Sequence, residues 1–249
     1  MPPTTSQAAA ADDLASQIMI ALDVSSADEA RRVAGELAGY NVIYKIGLQL
    51  FSSAGHAIVE EFVGNGHRVF LDLKFHDIPN TVAQASIAAS RLGVWMFNVH
   101  ALGGGAMLRA ARYAVDNEQS VNGTKRPLIV AVTVLTSSAE DTLNEIGITS
   151  DPKAQVLRLA NLAKSSGMDG VVASAHEVPL IKSEIGADFL TITPGIRPKA
   201  ATKDDQERVM TVKDALANGS DFLVIGRPVL EAEDRRSAFE SMLNAGAAE

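Results

Sequence analysis

Three charged residues within a short stretch have the clearest capacity for chemistry in this sequence. They are Asp72, Lys74 and Asp77, in the segment 68–81. In a β-strand alternate side chains share a face, so Asp72 and Lys74 are expected to point the same way. Two opposite charges on one face of an apolar strand are costly to bury unless they pair. The segment is therefore predicted to form part of a functional site.

Lys45 extends this set, so that Lys45, Asp72, Lys74 and Asp77 alternate in sign along the sequence. Opposite charges nearby favour the charged form of each group, and both lysines are expected to stay protonated. An ammonium group can donate a proton, whereas a lysine that forms a Schiff base needs a lowered pKa. The array therefore favours stabilising and protonating a carbanion over lysine-based aldol chemistry.

The secondary-structure elements that must position these residues repeat one pattern, in which a short apolar run precedes an amphipathic helix. The predicted strands are 18–23, 42–47, 68–74, 95–100, 128–135, 170–174, 189–193 and 222–226. Eight such units predict a single α/β (β/α)8 TIM barrel over 18–249, after a flexible extension over 1–17. An open doubly wound sheet is the alternative, but no Gly-x-Gly-x-x-Gly follows the first strand.

A helix is predicted after each strand, and two segments interrupt this repeating pattern. The predicted helices are 26–38, 49–65, 78–92, 104–116, 152–166, 177–185, 211–218 and 229–244. Ser26 with Glu29 resembles a capping box at the start of the first helix. The polar segment 118–126 is interpreted as a surface loop. The segment 195–208 is too long and too charged for an ordinary connection, and such a loop is usually a lid or a disordered segment.

Polar residues gather where the predicted strands end, and this is the rim at which barrel enzymes build their sites. The residues are Asp23, Lys45, Asp72, Lys74, Asn98, His100, Thr136, Ser137, Arg197 and Arg227. The opposite strand ends are mostly apolar. This asymmetry indicates an enzyme.

A phosphate site is predicted between the last two strand–helix loops. Gly226 and Arg227 follow the eighth strand, and Gly195 and Arg197 follow the seventh. Barrels often hold phosphate there with backbone N–H groups and a bidentate arginine. Taken alone, an arginine after a strand is more often a solvated surface residue, and it is the eight-unit pattern that favours the phosphate interpretation.

Several of these residues have a simpler structural interpretation. Asp77 precedes Ile78-Pro79, so it could be a helix N-cap. Lys45 could be a surface lysine with its stem against apolar neighbours, and Asp23 a loop acid. His76 and His100 are interpreted as structural histidines and not as catalytic bases.

Composition excludes several classes of function. The 249 residues carry a formal net charge of −8, which argues against a nucleic-acid surface. The absence of cysteine excludes thiolate catalysis and cysteine metal sites, and the five histidines show no His-Glu-x-x-His spacing. No apolar run is long enough to span a membrane, and the first seventeen residues do not resemble a signal or transit peptide. A cytoplasmic protein without a metal is expected.

The motifs together resemble the orotidine 5′-phosphate decarboxylase family, bacterial type. The resemblance covers the chain from Ile18 onward. Its motifs are Ala21-Leu-Asp23, Tyr44-Lys45-Ile-Gly47, Asp72-Leu-Lys74-Phe-His76-Asp77-Ile-Pro79-Asn80-Thr81, Asn98-Val-His100-Ala, Thr133-Val-Leu-Thr136-Ser137, Thr193-Pro194-Gly195-Ile-Arg197 and Ile225-Gly226-Arg227-Pro228. The resemblance implies decarboxylation of orotidine 5′-monophosphate to uridine 5′-monophosphate, the last step of pyrimidine nucleotide synthesis. It implies no cofactor, and a TIM-barrel homodimer with shared sites.

The resemblance also implies a role for each site residue. Lys74 would protonate the C6 carbanion, Asp72 would lie beside the departing carboxylate, and Lys45 would hold the charge network and contact the ribose. The other implied contacts are Asp23 with a ribose hydroxyl, Asp77, Ile78 and Thr81 with the partner's site, Thr136 with the pyrimidine edge, Pro194 with the loop over the base, and Arg197, Gln206, Gly226 and Arg227 with the phosphate.

The sequence leaves two other functional interpretations open. A phosphosugar decarboxylase of the same superfamily shares the Asp-x-Lys-x-x-Asp pattern but uses a metal. A catalytically inactive TIM barrel could bind nucleotide as a sensor, but such a protein is expected to lose the charged array that this chain keeps.

Overall fold

Eight parallel strands form a closed barrel in the computed structural model, which describes residues 13–136, 138, 140–198 and 210–247. Each strand pairs with the next along the chain, and β8 pairs with β1. The strands are β1 (Ile18–Ala21), β2 (Ile43–Gly47), β3 (Arg68–Phe75), β4 (Met96–His100), β5 (Leu128–Val132), β6 (Gly170–Val172), β7 (Leu190–Thr193) and β8 (Phe222–Ile225). The predicted TIM barrel is confirmed.

Helices follow the strands and cover the outside of the barrel. They are α1 (Ala27–Glu36), α2 (Leu48–Ala54), α3 (Ala57–Gly64), α4 (Pro79–Arg91), α5 (Gly104–Asn122), α6 (Glu140–Glu145), α7 (Pro152–Ser165), α8 (Val178–Ile185), α9 (Val212–Ala217), α10 (Arg227–Leu230) and α11 (Arg235–Ala247). A 3₁₀ turn over Ala101–Gly103 precedes α5. The predicted cap of α1 is present, because the Ser26 hydroxyl accepts a hydrogen bond from the Glu29 N–H.

Two predicted helices are each divided in the structure. The helix expected over 49–65 is α2 and α3, which are separated at Gly55, whose φ of 69° lies in the left-handed region. The helix expected over 229–244 is α10 and α11. The Asp234 carboxylate accepts a hydrogen bond from the Ser237 N–H at 2.9 Å, and so starts α11 as a separate helix.

The prediction of a surface loop over 118–126 is wrong for its first five residues. α5 continues to Asn122 and ends at Gly123, which adopts the left-handed conformation. Glu118 lies in this part of α5 and is buried, and its carboxylate accepts a hydrogen bond from the Arg91 side chain at 2.8 Å. Glu118 pairs with Arg91 of α4, whereas residues 119–122 are exposed on the surface of α5, so the polar sequence belongs to a helix and not to a loop.

The barrel interior is apolar toward the N-terminal ends of the strands and polar toward their C-terminal ends. The buried interior side chains are Met19, Ala21, Ile43, Phe70, Met96, Val130, Ile192 and Val224. Alternation along a strand puts the next inward side chain two positions later, toward the C-terminal end. Lys45, Asp72 and Asn98 occupy such positions on β2, β3 and β4. The fold thus brings them to one layer.

No helix within residues 13–136, 140–198 and 210–247 is both long and apolar enough to cross a membrane.

Candidate active site

A cavity of about 670 Å³ opens at the C-terminal end of the barrel strands. Apolar side chains of the barrel interior, among them Phe70, Val172 and Val224, line its floor. The predicted site residues that line it are Asp23, Lys45, Asp72, Lys74, Thr136, Pro194, Arg197, Gly226 and Arg227. Residues from six of the eight strand–helix units therefore meet at one place, as the rim asymmetry predicted.

Four charged side chains form a continuous array on the cavity wall. Lys45 Nζ lies 2.9 Å from Asp23 Oδ1 and 3.2 Å from Asp72 Oδ2. Lys74 Nζ lies 2.6 Å from Asp72 Oδ1. Signs alternate along the array, as predicted, but within one chain its first member is Asp23 and Asp77 is not part of it.

Burial makes the charges of the array interdependent. Lys45 is 7% exposed and Asp72 is 9% exposed. Burial disfavours the ammonium of Lys45, but the carboxylates of Asp72 and Asp23 outweigh it and raise the pKa of Lys45. Burial likewise opposes the charge of Asp72, and the two lysines with the Asn98 amide outweigh it and lower the pKa of Asp72. Lys45 is therefore an ammonium at neutral pH, not a surface lysine and not a Schiff-base nucleophile.

Gly47 explains how the Lys45 ammonium fits into the array. In the parallel register Gly47 lies beside Asp72. A Cβ at position 47 would lie 2.9 Å from Lys45 Nζ and 3.3 Å from Asp23 Oδ1. The φ of Gly47 is −99°, which any residue can adopt, so glycine here leaves space for the ammonium and is not needed for backbone freedom.

Lys74 departs from regular strand geometry. The register between β3 and β4 shifts between Leu71 and Phe75, and Lys74 has a φ of 52°. It is the one non-glycine residue with a positive φ in the part of the chain that the structure describes. This conformation costs about 1–2 kcal/mol for an ordinary L-residue, and such strain often lies at functional sites. Asp72 and Lys74 both line the cavity as predicted, but the strand between them is bulged.

Asn98 is a member of the site that residue-type reasoning did not assign. Its Nδ2 donates a hydrogen bond to Asp72 Oδ1 at 2.7 Å, and its Oδ1 accepts one from the Lys74 backbone N–H at 2.8 Å. The available signal was its position at the end of the fourth strand, within the motif Asn98-Val-His100. Leu48, Gln49 and Glu231 also line the cavity without having been predicted.

The same cavity is lined by the candidate phosphate residues. Arg197 and Arg227 line it, together with Gly195 and Gly226 from the same two loops. A Cβ at Gly226 would lie 3.5 Å from the Ala21 Cβ, an ordinary contact, so packing within the chain does not demand glycine there. Gln206 lies outside the described residues.

Three predicted site residues lie away from this cavity. Asp77, Ile78 and Thr81 are exposed, and Ile78 is 67% exposed although it is large and apolar. The Asp77 carboxylate accepts a hydrogen bond from the Ile78 N–H at 2.6 Å, and the N-cap of α4 is Ile78. Asp77 therefore adjoins the helix start without capping it.

The two histidines beside the array stack on each other. The rings of His76 and His100 lie 5.3 Å apart at 21°. Burial, followed by the charges of His76 and Lys74, lowers the pKa of His100 to about 4. His100 is neutral at neutral pH, and its Nδ1 accepts a hydrogen bond from the Leu102 N–H, in keeping with a structural role.

Possible metal ligands do not cluster in the described ranges. These ranges contain no group of three or more His, Cys, Asp or Glu side chains that could hold a metal ion.

A closed (β/α)8 barrel with a charged cavity at its C-terminal rim defines a TIM-barrel enzyme. The sequence model of the orotidine 5′-phosphate decarboxylase / HUMPS family matches residues 16–242. The chain belongs to this family.

Individual relatives agree with this assignment. An orotidine 5′-phosphate decarboxylase of Teredinibacter turnerae is 52% identical over 228 residues, which cover 92% of this chain and 96% of that protein. One from Geobacter sulfurreducens is 48% identical over 233 residues, covering 94% of this chain and 97% of that protein. The crystal structure of orotidine 5′-phosphate decarboxylase from Lactobacillus acidophilus is 37% identical with a TM-score of 0.81, covering 93% of this chain and 99% of that one.

Proposed function

We propose that this enzyme decarboxylates orotidine 5′-monophosphate to uridine 5′-monophosphate in pyrimidine biosynthesis, without a cofactor. The observation that carries the proposal is the array Asp23–Lys45–Asp72–Lys74 on the wall of a cavity that Arg197 and Arg227 also line. Family membership and relatives named for this reaction support the activity.

Lys74 is assigned as the proton donor. The bond between C6 and the carboxylate breaks, carbon dioxide leaves, and the electron pair stays on C6. That vinyl carbanion has no carbonyl or cofactor positioned to delocalise it, so fixed charges must stabilise it. The Lys74 ammonium does so electrostatically and then transfers a proton from Nζ to C6, which completes uridine 5′-monophosphate.

The remaining residues of the array hold Lys74 and the sugar. Asp72 lies beside the departing carboxylate and accepts from both lysines, which keeps Lys74 Nζ within reach of C6. Lys45 and Asp23 are assigned to ribose hydroxyls, because Asp23 lies at the open edge of the array with about half its side chain exposed. Thr136 is assigned to the pyrimidine edge, and Pro194 to the loop over the base.

The phosphate is assigned to Arg197, Gly226 and Arg227, together with Gln206. These groups are remote from C6, and their binding energy can orient the base and exclude water. The substrate would then span the cavity, with the base at the array and the phosphate at the last two strand–helix loops, where barrels commonly hold phosphate.

Arg227→Ala tests this assignment. We expect the Michaelis constant for orotidine 5′-monophosphate to rise by roughly tenfold or more, because a charge-assisted contact to phosphate is lost. Steady-state kinetics measure it, with Arg158→Ala on the exposed face of α7 as the matched arginine control. An unchanged Michaelis constant in Arg227→Ala would contradict the phosphate assignment.

A homodimer with shared sites is the proposed assembly. Asp77, Ile78 and Thr81 lie outside their own chain's cavity and are exposed, which leaves them available to a second copy. Burial of the Ile78 side chain against a partner would remove apolar surface from water and so would favour the dimer. We assign these three residues to the partner's substrate site.

Hybrid dimers test the shared sites. Inactive Lys74→Ala and Asp77→Ala proteins, mixed and allowed to exchange subunits, should recover up to about a quarter of wild-type activity, because half of the dimers would hold one intact site. A mixture of Lys74→Ala with Asp72→Asn is the control and should stay inactive, since both residues serve their own chain's site. Absence of recovery after demonstrated exchange would exclude sharing through Asp77.

The activity itself is tested by ultraviolet absorbance. Adding protein to orotidine 5′-monophosphate should remove the orotate chromophore at an undiminished rate after full chelation with EDTA. A metal requirement would favour the metal-dependent phosphosugar decarboxylase of the same superfamily. Binding of uridine 5′-monophosphate without turnover would indicate a nucleotide sensor.

A further inference from the structure

Asn98 holds two groups of the candidate site from a neighbouring strand, and its side chain is 1% exposed. We propose that Asn98 is a positioning residue that sets the geometry of Lys74 and the charge of Asp72. This inference rests on the proposed function for its kinetic consequences, and on the contacts of the described residues for its physical basis.

The first contact replaces a missing backbone interaction. Between Leu71 and Phe75, β3 advances four residues while β4 advances two, from Phe97 to Val99. Lys74 lies in this bulge and has no register partner on β4, and its N–H donates a hydrogen bond to the Asn98 Oδ1 at 2.8 Å. A bulge can re-aim a side chain, and here the amide holds Lys74 at its φ of 52°.

The second contact of Asn98 stabilises the negative charge of the Asp72 carboxylate. Asn98 Nδ2 donates to Asp72 Oδ1, the same oxygen that accepts from Lys74 Nζ. Within the part of the chain that the structure describes, the groups bonded to the Asp72 carboxylate are Lys45 from β2, Lys74 from β3 and Asn98 from β4. Asn98 is the neutral member of this set, so it stabilises the carboxylate without adding a charge near the reacting carbon.

The two contacts can be separated by substitution. Asn98→Leu removes both and keeps the number and branching of the side-chain heavy atoms. Asn98→Asp keeps an oxygen that can accept from the Lys74 N–H, but removes the donor to Asp72 and sets a second carboxylate against it. Gln155→Leu is the matched control, because Gln155 is also a buried amide, it is bonded to Ser150, and it lies outside the cavity.

Kinetics of orotidine 5′-monophosphate decarboxylation give the first readout. For Asn98→Leu we expect kcat to fall about a hundredfold while the Michaelis constant changes less than about threefold, because the proton donor is displaced and the phosphate contacts are untouched. The acid limb of the pH profile should move to higher pH, since the lost hydrogen bond favoured ionised Asp72. Gln155→Leu should lower thermal stability alone.

A second readout does not depend on turnover. The Asp72 carboxyl is titrated by carbon-13 NMR in substrate-free wild-type and variant proteins. Its pKa should rise in both Asn98→Leu and Asn98→Asp, and Asn98→Asp covers the case in which Asn98→Leu fails to fold. An unchanged Asp72 pKa in a folded variant would overturn the inference whatever the substrate proves to be. Wild-type kcat in a folded Asn98→Leu protein would also overturn it, whereas an inactive wild type would count against the proposed function.

Discussion

Lys74→Ala is expected to abolish turnover of orotidine 5′-monophosphate while changing the affinity for uridine 5′-monophosphate by less than about tenfold. The reason is that Lys74 Nζ is assigned to the developing carbanion, whereas ground-state contacts come from the ribose and phosphate residues. Single-turnover absorbance measures the first quantity, and calorimetric titration of the product measures the second.

The control for this substitution is Lys182→Ala, which removes an ammonium paired with Asp221 at 2.7 Å and lies outside the cavity. Lys74→Gly adds a stability readout. Glycine adopts the φ of 52° without strain, so this variant should be about 1 kcal/mol more stable than Lys74→Ala and equally inactive. Appreciable turnover by either Lys74 variant would remove Lys74 from the role of proton donor.

Asp72→Asn is expected to lower kcat by at least about a hundredfold and to destabilise the protein by about 3 kcal/mol at neutral pH. Asp72 is the carboxylate between two ammonium groups, and its removal leaves the buried Lys45 with Asp23 alone. Initial-rate kinetics and denaturant unfolding measure the two effects. Wild-type stability with wild-type kcat would contradict the central position of Asp72 in the array.

The pH dependence of this destabilisation has a definite sign. The folded-state pKa of Asp72 is lowered, so its stabilisation is present above the unfolded-state pKa and is lost as pH falls through the folded-state value. The difference in unfolding free energy between wild type and Asp72→Asn should therefore shrink in acid. A difference that grows as the pH falls would mean that Asp72 is not stabilised as a carboxylate.

The strands and the location of the site could be predicted from the sequence for physical reasons. Buried parallel strands must be apolar on both faces, so Lys45 and Asp72 stand out within them, and the barrel closes their C-terminal ends around one cavity. Alternation then places both residues in the same inward-facing layer. These inferences need only local pattern and topology.

The geometry within the site could not be predicted in the same way. The bulge that sets Lys74 depends on the register between β3 and β4, and the space for Lys45 depends on Gly47 lying across from Asp72. Asn98 acts through both contacts, and its role appears only when that register is known. Each depends on which residues become neighbours across strands, and periodicity along one strand does not specify this.

The position of Asp77 could not be predicted from the sequence for a different reason. Its spacing from Lys74 suggested membership of the array, but one chain places it on the surface at the start of α4. Its proposed role needs a second copy, and a site shared between chains leaves no signature in the periodicity of either one.

A crystal structure with bound uridine 5′-monophosphate would show whether the array and the phosphate residues form one substrate site. We expect C6 of the pyrimidine within about 3.5 Å of Lys74 Nζ, the phosphate against Gly226 and Arg227, and Asp77 of the partner subunit beside the nucleotide. A nucleotide bound with its phosphate away from Arg227, or with C6 turned from Lys74, would contradict this expectation.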